Sequence, residues 1–129
     1  MLPLCREEKI GVIPYSPLAS GRLTRDWSSE TTLRSETDQI AKTKYDATAD
    51  TDRQVVGRVA ELADKHEVPR VHIALAWLLQ KKPVTAPIIG ATKITHLEAA
   101  VGALSVTLAE DEVTYLEEPY TPHAIVGHQ

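Results

Sequence analysis

Val12-Ile13-Pro14-Tyr15-Ser16-Pro17-Leu18-Ala19-Ser20-Gly21-Arg22-Leu23-Thr24 decides how this chain is read. A short apolar run, Ile10 to Ile13, stops at a proline. A tyrosine, a serine and a loop with its own glycine follow. That is the pattern of a buried strand delivering polar groups to its C-terminal end. In parallel α/β architectures ligands bind at that end. A second element of the same kind lies downstream, where Val84 to Ile89 leads into Gly90-Ala91-Thr92-Lys93.

Both apolar runs are nearly continuous, as expected of strands covered on both faces. Pro87 within the second suggests an irregularity or a constrained pairing. Between them lie two helical patterns. Thr51-Asp52-Arg53-Gln54 has the form of a capping box, and Val55, Val56, Val59, Leu62 and Ala63 recur at helical spacing. This predicts a helix over 52–66, with Arg53, Arg58, Glu61 and Asp64 in solvent. Pro69 suits the first turn of the next helix. Val71 to Leu79 is apolar nearly all round, which predicts burial against several neighbours and places Trp77 in the core. Pro83 ends it. Thr95-His96-Leu97-Glu98 and Thr107-Leu108-Ala109-Glu110 are two more capping-box patterns, predicting helices to about Leu104 and to about Glu118.

The order is strand, long loop, two helices, strand, helix, helix. Such a connection implies parallel strands with a right-handed crossover. Two strands alone leave unpaired edges and uncovered faces, and no internal repeat supplies more. Residues 1–9 read as the last turns of a helix feeding the first strand, the pattern of a chain that starts in the middle of a fold. Residues 14–50 show little periodicity, and a loop of that length is often functional. A short helix over 38–43 fits within it. Trp27, in this polar stretch, either covers a ligand or packs the loop down.

With 129 residues, 43% hydrophobic and 25% charged, the chain fits one folded domain. The net charge of −4 argues against a non-specific nucleic-acid binder. No apolar stretch approaches the ~20 residues of a membrane helix, and the N-terminus lacks the features of a signal peptide. A single cysteine, Cys5, fits a reducing, cytoplasmic setting and reads as a small packed residue. The histidines lack metal-like spacing.

The chemistry gathers after the second strand. A glycine there lets backbone approach a ligand, and the following helix presents free N–H groups and a positive dipole end to an anion. Thr92 adds a hydroxyl and Lys93 a charge. The pattern describes a phosphate site, and it also describes many surface turns. Tyr15 is likewise either a ligand-facing aromatic or a core residue at a strand end.

Three collinear matches narrow this. Residues 11–23 resemble the seventh-strand segment of aldo-keto reductases, and residues 86–93 resemble the family's eighth-strand segment and cofactor-binding helix. Val71-His72-Ile73-Ala74-Leu75-Ala76-Trp77-Leu78-Leu79 resembles the helix between them. Order and spacing agree across nearly all of the chain, with the closest likeness to the bacterial group that includes the voltage-gated potassium channel β subunits. The resemblance implies an α/β fold, the C-terminal part of a (β/α)8 TIM barrel with strands seven and eight. Residues 1–129 would then form one partial domain, with 1–50 holding the helix end, strand seven and the cofactor-covering loop and 51–129 the remaining helices and strand eight.

It further implies NADP(H) as cofactor and an aldehyde or ketone as the small-molecule substrate. Tyr15 matches the aromatic that stacks on the nicotinamide. Ser16, Leu18, Gly21 and Leu23 match positions along the pyrophosphate. Gly90, Ala91, Thr92 and Lys93 match the 2′-phosphate site, where a lysine favours NADP over NAD. His96 matches a position near the adenine. Ala99 and Ala100 depart from the family's common Glu-Asn pair, which weakens adenine recognition. The family's catalytic Asp, Tyr, Lys and His match nothing here, so no residue takes a catalytic role, and the isolated chain is expected not to turn over. The rival expectation is a non-catalytic binding or interaction module that pairs through its exposed edges, with a complementing N-terminal chain or a second copy.

Overall fold

The computed structural model describes residues 1–27 and 45–123. The short helix expected over 38–43 lies outside them. Five α-helices are described: α1 (Leu2–Glu7), α2 (Ala49–Lys65), α3 (Arg70–Leu79), α4 (Ile94–Gly102) and α5 (Glu110–Glu117).

The core is helical. Val59, Leu62 and Ala63 of α2 pack against Ile73 and Ala76 of α3, and Leu108 and Leu116 close the cluster from α5 and its lead-in. The spacing of the α2 residues puts one apolar stripe on one face, and the stripe is what is buried. In α3 four consecutive residues, Ile73 to Ala76, are buried, as its all-round apolar pattern requires. Trp77 is half-buried rather than fully in the core. Its indole N–H donates to Glu117 at 2.8 Å, so the ring packs on the core while its polar edge reaches the surface.

The expected strands are where the structure departs most from the sequence. No strand forms among the described residues; residues 10–16 and 83–89 meet only through two isolated parallel bridges, Val12 to Val84 and Tyr15 to Ile88. From the first bridge to the second is three residues on one segment and four on the other (15 − 12 against 88 − 84). The extra residue is a bulge in the stretch that holds Pro87, and it breaks the regular ladder. Nor are both faces covered: Ile10 and Ile13 are 55% and 62% exposed.

The caps also differ. The 52–66 helix starts earlier, at Ala49 with Thr48 as N-cap, so Thr51 lies inside it and its hydroxyl donates to the Thr48 carbonyl. α4 begins at Ile94 after an extended Lys93, and Thr95 is already helical. α5 starts at Glu110, not after Thr107. Its capping carboxylate is Glu112, which accepts from the Ala109 N–H at 3.0 Å; alanine has no oxygen to return the bond, so this is half a capping box.

Glu112 does more than cap. It is buried, and its Oε1 lies 2.8 Å from both Lys65 Nζ and His66 Nε2. The Lys65 hydrogen bond, with that from Ala109, holds its carboxyl down to about 2, against 4.5 for the free group. One carboxylate thus ties the end of α2 to the start of α5. A second tie comes from Gln80, whose side-chain amide donates to the Leu108 carbonyl at 2.9 Å and accepts from the Leu108 N–H at 2.8 Å. Both backbone groups of a buried residue are satisfied by one side chain.

Because the folded carboxyl of Glu112 titrates below the unfolded one, its stabilisation is fully present above pH 4.5 and is lost as pH falls toward 2. Urea midpoints measured from pH 7 down should fall through that window, and Glu112→Gln should flatten that part of the profile; superimposable profiles would contradict the assignment. Two glycines give opposite outcomes for one substitution. Gly57, exposed inside α2, has nothing within 4 Å of an added Cβ, so Gly57→Ala should stabilise by about 1 kcal/mol. Gly21 has φ +84°, so Gly21→Ala should cost about 1–2 kcal/mol although its Cβ has room. Thermal melts of the two variants check both.

Candidate functional site

The ends of the two extended segments make the site. After Pro14 the chain turns sharply. Ser16, Ala19 and Ser20 join Gly21 in positive φ, between 48° and 84°, and the turn is closed by Ala19 N–H to Ser16 O at 3.0 Å and Gly21 N–H to Leu18 O at 2.9 Å. Non-glycine residues in that region carry strain, which collects at ligand-binding turns. The other segment is held beside it by Ile88 N–H to Pro14 O at 2.8 Å.

Between them opens a cleft of about 580 Å³, within the range of small-molecule sites. Tyr15, Ser16, Leu18, Gly21, Gly90 and His96 all line it. The structure therefore brings together residues from two stretches about 70 positions apart (Tyr15 to Ile88, 88 − 15 = 73). Leu23 does not join them; it lines a second, apolar cavity of about 740 Å³ with Leu2, Val55, Trp77 and Leu116. Ala91, Thr92 and Lys93 are exposed and outside the cleft lining, with Lys93 extended at φ −135° as the N-cap of α4. Ala99 and Ala100 are half-buried in the lining.

Tyr15 stands 62% exposed and lines the cleft, so it is not a core residue. Gly90 has neither a positive φ nor any atom within 4 Å of an added Cβ. Protein packing does not require a glycine there; the space a side chain would fill is cleft. Trp27 is outside the lining. Its indole N–H donates to the Arg22 carbonyl at 2.8 Å, and the Arg22 and Arg53 guanidinium groups lie 5.5 and 5.9 Å from its ring. It packs the loop down.

Lining residues that the sequence reading did not assign to the site include Pro69, Arg70 and Val71, from the start of α3. The signal was present in the sequence, since a cation at the start of a helix opposes the helix dipole. An open cleft with an exposed aromatic at one segment end, a bare backbone stretch at the other and a cation in its wall fits an aromatic, phosphate-bearing ligand. Among the described residues no group of three or more potential ligands could hold a metal ion, and no helix is long and apolar enough to cross a membrane.

Known proteins with this sequence pattern converge on one group. An aldo-keto reductase of Fusarium vanettenii is 41% identical over 128 residues, covering 99% of this chain and 34% of the relative. Versiconal hemiacetal acetate reductase of Aspergillus parasiticus is 39% identical over 126 residues, covering 97% and 36%. The chain spans about a third of the length of the curated relatives it matches. Among solved structures, glycerol dehydrogenase of Gluconobacter oxydans has a similar fold, with a TM-score of 0.68 at 22% identity over 100% of this chain and 40% of that one. The model of the Aldo/keto reductase family matches residues 1–120, and the chain belongs to that family.

Proposed function

We propose that these residues form the cofactor-binding, C-terminal portion of an NADP(H)-dependent carbonyl reductase, with the two extended segments in the places of the last two strands of a (β/α)8 barrel. The observation that carries this reading is the Tyr15 to Ile88 bridge, which joins the C-terminal ends of two parallel segments at the mouth of the cleft. Ligands of parallel α/β folds bind at such ends. Family membership supports the cofactor class, and the share of each relative that is covered supports a partial barrel.

NADPH, when bound, supplies the hydride for an aldehyde or ketone. The chain's own part is to hold and orient it. Tyr15 offers a ring face for stacking, the Ser16–Gly21 turn brings Ser16 and Ser20 to the cleft, and Gly90 leaves backbone open to close approach. No residue of this chain matches the family's catalytic Asp, Tyr, Lys and His, and Tyr15 is read as the stacking face and not as the acid. General acid catalysis is worth ~10²–10⁴-fold, so the 129 residues alone should bind without turnover.

A second reading, association through the uncovered edge, rests on the exposure of Ile10, Ile13 and Ile88, of Ile94, Leu97 and Val101 along α4, and of Leu104 in the turn after it. Unpaired edges and bare apolar faces invite a further chain or a second copy. Sedimentation should show a mass above that of the monomer; a sharp monomer at high concentration would remove this reading.

The cofactor reading is tested by a ¹H–¹⁵N correlation spectrum of the full chain titrated with NADP⁺. Peaks of Tyr15, Gly21 and Gly90 should shift together and saturate. Gly90→Val should melt within a degree or two of the parent yet bind at least ~10-fold more weakly, because its side chain occupies cleft and not core. A spectrum indifferent to the nucleotide would end the proposal, and reductase turnover by the pure chain would end its claim of inactivity.

A further inference from the structure

We propose that Arg70 is the anion-holding group of the cleft and selects a nucleotide that carries a phosphate on its ribose over one that lacks it. The proposal rests on the nucleotide reading of the cleft.

Arg70 is the first residue of α3, and no acidic residue occupies the first turn of that helix. A cation in that place is repelled by the positive end of the helix dipole, so its position is locally unfavourable. The other half-buried cations are neutralised. Arg22 pairs with Asp46, Arg58 with Glu118 at 2.6 Å, and Lys81 with Glu117. Arg25 is engaged as well. Arg70 is half-buried and forms no hydrogen bond or ion pair with any described residue. It is also the one Lys or Arg among the described residues lining the cleft, and no carboxylate lines it.

The cleft wall therefore holds a positive charge, partly withdrawn from water, that no described residue neutralises. A guanidinium is built for a phosphate: its planar fork gives two parallel hydrogen bonds where an ammonium gives a point charge. A dianionic phosphate would satisfy the fork and relieve the opposition of the helix dipole together. Lys93, the other candidate for that task, is exposed and outside the lining, where an ion pair is weak. On this geometry the charge that discriminates is Arg70.

Calorimetric titration of the full chain with NADP⁺ and with NAD⁺ tests this, on the parent and on Arg70→Gln, Arg70→Lys and Lys93→Ala. Arg70→Gln should weaken NADP⁺ by roughly tenfold or more and leave NAD⁺ within about twofold. Arg70→Lys, which keeps the charge and loses the fork, should fall between, and Lys93→Ala should stay within about twofold of the parent for both. Arg70 has no partner among the described residues to lose, so the variants should melt with the parent. An equal loss of both nucleotides at Arg70→Gln, no loss of either, or a selective loss at Lys93→Ala instead would overturn the assignment while the nucleotide reading stands. A parent that binds neither nucleotide would overturn the reading beneath it, and the assignment with it.

Discussion

Three backbone hydrogen bonds hold the two extended segments together, and the cleft depends on them: Val12 N–H to Pro83 O, Thr85 N–H to Val12 O and Ile88 N–H to Pro14 O, each 2.8 Å. Prolines at 14, 83 and 87 remove three donors from this stretch, so few other bonds are available. The extra residue between the bridges fixes which side chains meet. With regular pairing Tyr15 would face Pro87; with the bulge it faces Ile88, and one step of register exchanges the two faces of a strand. The bulge therefore decides what the cleft mouth presents. Bulges beside binding sites commonly serve to re-aim a side chain in this way.

The helices were legible in the sequence because their information is local. The spacing of Val56, Val59, Leu62 and Ala63 writes the buried stripe of α2 directly, and the run Ile73 to Ala76 writes the burial of α3. The helix starts were not legible from capping patterns. Each of Thr51, Thr95 and Thr107 has the right partner three residues on, yet the true caps are Thr48, Lys93 and Ala109. At α5 the capping carboxylate is chosen by tertiary structure: Glu112 is drawn to Lys65 and His66, which are nearly fifty positions away in sequence (112 − 65 = 47). The extended segments failed for the same reason. An apolar run such as Ile10 to Ile13 says that cover is wanted, but whether cover exists is set by residues elsewhere.

The candidate site was half legible on similar grounds. Residues that follow the segment ends, such as Tyr15, Gly21 and Gly90, carry their role in local order, and they line the cleft. Leu23 does not, since the positive-φ turn at 19–21 sends the chain toward α2 and the apolar cavity there. Arg70 and Val71 enter the cleft from a helix start that periodicity describes only as the beginning of a buried element.

Charge separates the two halves of the molecule. In the helical core every acid that ties elements together is matched: Glu112 by Lys65 and His66, Glu117 by Lys81 and Trp77, Glu118 by Arg58. These matches join α5 to α2 and α3 and are complete without any ligand. The cleft is the reverse, with a strained turn, a bare glycine and a cation that has no counter-ion among the described residues. Positive φ also occurs at Lys9 and Glu67, outside the cleft, but a strained turn, a bare glycine and a cation without a described counter-ion fall together only here among the described residues, as expected of a functional site. These features share a direction. A guanidinium without a described counter-ion, backbone open to approach and an exposed aromatic would each be served by one aromatic anion.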